Sequence, residues 1–231
     1  MHTLESDGRA SLEEMAEAAA ALGYEYIAIT DHSKALAMAN GLDEKRAVAF
    51  AKTVEQANKA GLPVKVLSGI ECDILRDGSM DLADDALAAL NLVTGSVHSY
   101  LALDAREMTD RLLKALECRH LKILGHPTGR ILLRRESFLF DFEKVAEDAA
   151  RRGVAMEINA TPDRLDLAPH LIRSAKARGV RFTISTDAHH PKHLANMRLG
   201  VATARRGWLE KQDVLNTLPL NQFLGALRKP A

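Results

Sequence analysis

Cysteine is nearly absent from this chain of 231 residues: the two present, Cys72 and Cys118, supply no disulfide framework and point to a reducing, cytoplasmic compartment. Aromatic residues make up only 4%, so any hold on unpaired nucleobases has few stacking platforms and depends on the phosphate backbone. Neither sign of charge is in excess. The 31 Lys and Arg balance the 31 Asp and Glu, which excludes a whole-molecule field for polyanions and leaves only local patches. No apolar run reaches the roughly 20 residues that span a bilayer. The start, MHTLESDGRAS, has neither a basic end nor an apolar stretch, so no membrane or export signal is expected. There is no GxxxxGK[ST], no GxGxxG and no Ser or Cys set in an obvious triad, so neither a nucleotide-binding loop nor a protein nucleophile is expected.

What is present is a regular alternation of helix and strand. Ser11 with Glu14 forms a capping box before LEEMAEAAAAL, Gly23 stops that helix, and YEYIAIT follows as a short buried strand. Asp43 opens a helix that ends at Gly61, and VKVLSGI, LNLVTGSV, LKILG, VAMEINA and VRFTIST read as further strands. Helices over REMTDRLLKALE, FEKVAEDAARRG and APHLIRSAKARG separate the later ones, and the tail after Gly207 reads as a terminal helix packed outside. This rhythm implies a mostly parallel sheet in a single domain over residues 1–231, with 47% hydrophobic residues to fill its core.

Residues able to bind metal recur where the strands end: His2, Asp7, His32, Glu71, His98, His126, Asp187 and His189. One His or Asp at a strand end is ordinarily a loop residue or a cap, but eight together are not explained that way. A β/α barrel brings all strand ends to one face, so ligands scattered along the chain can converge. Imidazole and carboxylate without thiolate suit manganese, zinc or iron and exclude a structural zinc knuckle. Ions about 4 Å apart can clamp the attacking and leaving oxygens of a phosphoryl transfer and acidify a water between them. His120, His170, His190 and His193 lie away from strand ends and read as surface or packing residues. Cys72, next to Glu71, should point to the opposite side of its strand as a buried, inert thiol.

The runs MHT, SDG, TDHS, GIE, SVHS, GHP and STDAH, in this order, resemble the motifs of the PHP (polymerase and histidinol phosphatase) superfamily across essentially the whole chain. GYEYIAITDHSKALAMANGLDE, ILGHPTGR, EINATPDRLDL and RRGWLEKQDVLNTLPL are similar, more narrowly, to the C-terminal PHP exonuclease domain of bacterial family X DNA polymerases. The resemblance implies a distorted (β/α)7 TIM-like barrel. It also implies two to three divalent ions, with Mn2+ for activity and Zn2+ or Fe as alternatives. His2, Glu71 and Asp187 would hold one ion; Glu71 would bridge to a second at His98 and His126; Asp7, His32 and His189 would hold a third. Glu71 and Asp187 are the expected catalytic residues. The family pattern opens with Asp-Leu-(His or Gln)-x-His, and Met1 stands at x, so a truncated first strand, a weakened first metal site and a chain without the polymerase core are expected.

Lys34, Arg130, Asn159 and Arg164 follow strand ends and are candidate phosphate-binding residues. Arg134 and Arg135 could form a basic lip for a nucleic-acid backbone. The implied activity is a metal-dependent 3′-5′ exonuclease or phosphodiesterase on DNA 3′ ends. The alternatives are a small-molecule phosphatase of the histidinol-phosphatase type acting on a phosphorylated small molecule, and a catalytically weakened PHP module.

Overall fold

The computed structural model describes residues 1–227. Six parallel strands run in sequence order through one curled sheet: β1 (Tyr26–Ile29), β2 (Lys65–Asp73), β3 (Leu92–Ser96), β4 (Leu121–Leu124), β5 (Ala155–Asn159) and β6 (Phe182–Ser185). Each strand is short and rich in β-branched or aliphatic residues, and helices return the chain along the outer face. Among these are α1 (Leu12–Ala21), α2 (Glu44–Ala60), α4 (Ala105–Leu116), α5 (Phe142–Arg152), α6 (Pro169–Ala177) and α7 (Met197–Arg206), with a one-turn α3 (Asp84–Ala88) between β2 and β3. No helix among the described residues is long and apolar enough to cross a membrane.

The expected helix signals act as read. Ser11 and Glu14 exchange hydrogen bonds at the start of α1, Asp43 caps α2, Asp104 and Glu107 form a second capping box on α4, and Gly61 ends α2 at a φ of 100°. Leu12, Met15, Ala16 and Ala19 are the buried residues of α1, at the spacing that presents one face to the sheet.

Strand alternation then divides the interior into levels. Leu67, Leu92, Ile123 and Ala155 point inward at the lower end, where they pack with Leu215, Phe223 and Leu227. The tail, including α8 (Leu220–Ala226), therefore plugs the base of the barrel instead of lying outside it. The physical reason is that these four inward apolar side chains need a cover, which the tail supplies. Tyr26 donates to the carbonyl of Leu218 at 2.8 Å, and the carboxamide of Asn216 pairs with both the N–H and C=O of Ile184 on the outer edge of β6, at 3.0 and 2.9 Å. Towards the upper end of the strands the inward residues turn polar, ending in Glu71, Asp73, Glu157 and Asn159.

No β1–β6 ladder closes the ring among the described residues. Met1 and His2 instead tie the upper ends of these strands: Thr30 N–H donates to the Met1 carbonyl and His2 N–H to the Ala188 carbonyl, each at 2.8 Å. A cavity of about 460 Å³, lined by Tyr26, Ala28, Thr183 and Ser185 among others, separates the two edges.

Candidate metal centre

The upper mouth of the curled sheet collects all eight expected ligands. Glu71, the inward residue near the end of β2, is buried at their middle. Its Oε1 lies 3.0 Å from His126 Nε2 and 3.4 Å from His98 Nε2, and its Oε2 lies 3.4 Å from His2 Nε2 and 3.5 Å from His32 Nδ1. Asp187 reaches His2 Nε2 at 3.0 Å. Asp7, the most exposed of the set, lies 3.3 Å from His189, 3.7 Å from His32 and 3.9 Å from His2. Three groups have donor atoms close enough to share an ion: His2, Glu71 and Asp187; His32, Glu71 and His98; and His2, Asp7, His32 and His189. His126 adjoins the second group through Glu71 Oε1. His32 thus stands closer to the Glu71 group, and His2 to the Asp7 group, than the partition implied by the motifs.

Charge is strongly coupled here. Burial pushes the Glu71 carboxyl up, but His32, His126 and His98 outweigh it and hold the group well below the usual carboxylate range. Asp187 is likewise opposed by burial and held well down, chiefly by its hydrogen bond to His2. Burial drives His32 down to about 4 against the attraction of Glu71. It opposes the cation at His98 too, yet hydrogen bonds to Asp73 and Glu71 raise that ring to about 10.

The residues fit divalent ions. Nδ1 of His2, 3.9 Å from Asp7, and Nδ1 of His32, 3.5 Å from Glu71, are buried and make no hydrogen bond, a costly state for a polar atom that coordination would relieve. The donors are imidazole nitrogens and carboxylate oxygens only; Cys72 faces away and donates to Asp81 at 2.9 Å, its thiol pushed well up by burial and by that carboxylate.

Sequence reasoning missed the residues that hold the ligands. Asp73 hydrogen-bonds His98 Nδ1, which leaves Nε2 aimed at Glu71. Two-residue alternation from Glu71 points to Asp73 and was the available signal. Asp31 accepts from Thr3 and Ser6, fixing the turn that bears His2 and Asp7. A Cβ at Gly8 would come within 2.5 Å of the His2 carbonyl, so that turn closes only with glycine. Arg111, buried on α4, donates to the carbonyls of Leu75 and Ser99 and anchors the loop beyond His98. Asp166 holds the loop after His126 through the N–H and hydroxyl of Thr128, at 3.0 and 2.9 Å.

The four candidate phosphate ligands separate. Asn159 is fully buried; its Nδ2 donates to Asp187 and Glu157 and its Oδ1 accepts from Thr161, so no donor remains for phosphate. Arg130 spends Nε and Nη2 on the carbonyls of Arg164 and Leu165 and thereby shapes the loop. Lys34 is exposed and paired with Glu44 at 2.6 Å. Arg164 alone points its guanidinium at the centre, with Nε 3.9 Å from Asp187 and Nη1 buried without a partner. His120 pairs with Asp84, His170 is exposed, and His190 caps a 3-10 turn, as surface residues do.

The family model of the PHP domain matches residues 1–161. The chain is 41% identical to DNA polymerase/3′-5′ exonuclease PolX of Bacillus subtilis over 229 residues, which is 99% of this chain and 40% of that protein. It is 28% identical over 236 residues to a probable phosphatase of Vibrio campbellii, with 91% of each covered. Among solved structures it resembles histidinol phosphate phosphatase of Lactococcus lactis, complexed with zinc, L-histidinol and phosphate, at a TM-score of 0.63 and 14% identity over 91% of this chain and 92% of that one. That last likeness is one of fold.

Proposed function

The chain belongs to the PHP family of metal-dependent phosphoesterases, and from that premise we propose that it is a phosphodiesterase acting on DNA 3′ ends as a 3′-5′ exonuclease. The observation that carries the finer reading is the 41% identity to the polymerase/exonuclease over 99% of this chain, against 28% to the probable phosphatase. The chain spans 40% of the length of that polymerase/exonuclease.

His2, Asp7, His32, Glu71, His98, His126, Asp187 and His189 are the proposed ligands of two to three ions, Mn2+ for activity, with Zn2+ or Fe as alternatives. Bound there, such ions would polarise the phosphoryl group and acidify the attacking water. The chain's own groups do the rest. Glu71, ionised and touching histidines of every group, sets the spacing of the centre and is with Asp187 the proposed catalytic carboxylate. Arg164 supplies an unpaired cationic donor for a phosphate oxygen, and Arg130 fixes the loop that presents it. The mouth is open at the strand ends, where Asp7, His189 and Tyr100 reach solvent.

A phosphatase acting on a phosphorylated small molecule is the second reading, favoured by the match over 91% of the whole Vibrio protein. Rates on bis(p-nitrophenyl) phosphate and p-nitrophenyl phosphate with Mn2+, followed by a labelled oligonucleotide, separate the two. Diester preference and stepwise loss of 3′ nucleotides are expected; a strong monoester preference with an intact oligonucleotide would overturn the exonuclease in favour of the phosphatase.

A further inference from the structure

β5 is the one strand of the six whose end carries none of the proposed ligands, yet it lies between β4, which leads to His126, and β6, which leads to Asp187. Its inward residues Glu157 and Asn159 are both buried beneath the centre. Glu157 Oε2 accepts the backbone N–H of His126 at 2.6 Å and Asn159 Nδ2 at 3.3 Å. The same Nδ2 donates to Asp187 Oδ2 at 3.0 Å. The amide cannot be turned over, because Asn159 Oδ1 already accepts from the N–H and the hydroxyl of Thr161 at 3.0 and 2.7 Å. One continuous chain of hydrogen bonds therefore runs from the backbone of one proposed ligand, through β5, to the carboxylate of another.

Both ends of that chain need holding. His126 has a φ of 24° and Asp187 a φ of 49°, left-handed conformations that residues with a Cβ keep only where the surroundings impose them. Glu157 is not itself among the residues whose donor atoms cluster for an ion; its carboxylate faces a backbone N–H.

We propose that Glu157 and Asn159 form a clamp that fixes His126 and Asp187 relative to one another, making them positioning residues of the metal centre that touch neither ion nor substrate. The proposal deepens the reading of the centre above and rests on it. Ligand partners of this kind alter metal affinity by holding ligand orientation. What the clamp requires of residue 157 is an acceptor for the His126 N–H and for the Asn159 amide; it does not require a negative charge.

The test is zinc binding by the metal-free protein, measured by competition with a chromophoric chelator, beside the melting temperature in EDTA. Glu157→Gln keeps an acceptor oxygen and is expected to bind zinc as the unaltered protein does. Glu157→Leu and Asn159→Leu should bind about 10- to 100-fold more weakly, while melting in EDTA within a few degrees of the unaltered protein. Tight zinc binding by Glu157→Leu, or binding by Glu157→Gln as weak as that of Glu157→Leu, overturns the clamp. Should Glu157→Leu not fold, Asn159→Leu, which removes the Asp187 arm and leaves the Glu157–His126 bond in place, decides alone: affinity equal to that of the unaltered chain refutes the proposal. Failure of the unaltered protein to take up zinc or manganese refutes the metal centre itself, a separate outcome.

Discussion

Asp31 receives both the backbone N–H and the hydroxyl of Thr3, each at 2.7 Å, so the residue before one proposed ligand, His32, anchors the residue after another, His2. The first turn of the chain is thereby fastened to the end of β1. Asp31→Ala leaves the buried Thr3 donors unpaired and is expected to cost about 1–3 kcal/mol in urea unfolding of the metal-free protein. It should also weaken metal uptake, because His2 and Asp7 ride on that turn. Unfolding and uptake both equal to those of the unaltered chain would show that the turn holds itself.

Glu71→Ala removes the carboxylate that neighbours His2, His32, His98 and His126. The loss of Mn2+-dependent hydrolysis should exceed the roughly 100- to 1000-fold seen when one electrostatic stabiliser is deleted. Circular dichroism should still report the folded chain. Retention of most of the activity would refute the central role.

His32, buried, and His98, half-buried, on either side of Glu71 give the metal-free protein opposite pH limbs. His98 is raised from 6.5 to about 10, so its contribution to stability is complete below pH 6.5 and is lost as pH climbs through 10. His32 is depressed from 6.5 to about 4, so its contribution is complete above pH 6.5 and is lost as pH falls through 4. The melting temperature in EDTA is expected to fall on both sides of about pH 6.5. His98→Asn should flatten the alkaline limb and His32→Asn the acid limb; an alkaline limb unchanged in His98→Asn would refute this assignment.

Arg164→Ala should raise KM for a phosphodiester more than it lowers kcat, since the guanidinium lies beside the centre, with Nε 3.9 Å from Asp187, and keeps Nη1 without a partner. Arg164→Lys, which keeps the charge and loses the planar fork, should recover only part of the loss. Equal KM values across the three proteins would place phosphate elsewhere.

The edges of β1 and β6 face a cavity bridged at the top by Met1 and His2 and floored by the tail. Adding upstream of Met1 a short extended segment ending in Leu-Gln should pair with the free edge of β1. It should raise the melting temperature by about 2–4 °C for each kcal/mol gained and lower the Mn2+ needed for activity. Superimposable Mn2+ titrations of the two versions would show that the gap has no bearing on the site.

Six of the proposed ligands, His32, Glu71, His98, His126, Asp187 and His189, are legible in the sequence because each stands within a few residues of a strand end, a local pattern that the barrel converts into convergence; His2 and Asp7 lie instead on the turn that precedes α1. The groups that hold them are less so. Glu157 and Asn159 lie on a strand recognisable by its alternation, but their partners, His126 and Asp187, are 31 and 28 residues away, and which strand neighbours which is a property of the whole sheet. Asn159 and Arg130 have the chemistry of phosphate ligands, but their donors are taken by Asp187 and Glu157 and by the carbonyls of Arg164 and Leu165, long-range pairings that local sequence does not encode. The tail misleads for a related reason: the segment after Gly207 reads as an outer helix, and only the inward apolar residues of β2, β3, β4 and β5 determine that its Leu215 and Phe223 fill the base.

The carboxamide of Asn216 has a consequence for behaviour in concentrated solution. A sheet that does not close exposes a row of backbone donors and acceptors on which a second molecule can nucleate a ladder. At Ile184 that row is already saturated, both groups being taken by one side chain of the same chain. Asn216 is in this respect an insulator at the end of a conductor: it satisfies the last hydrogen-bonding site of β6 internally, so that the crescent terminates on itself and not on a neighbour.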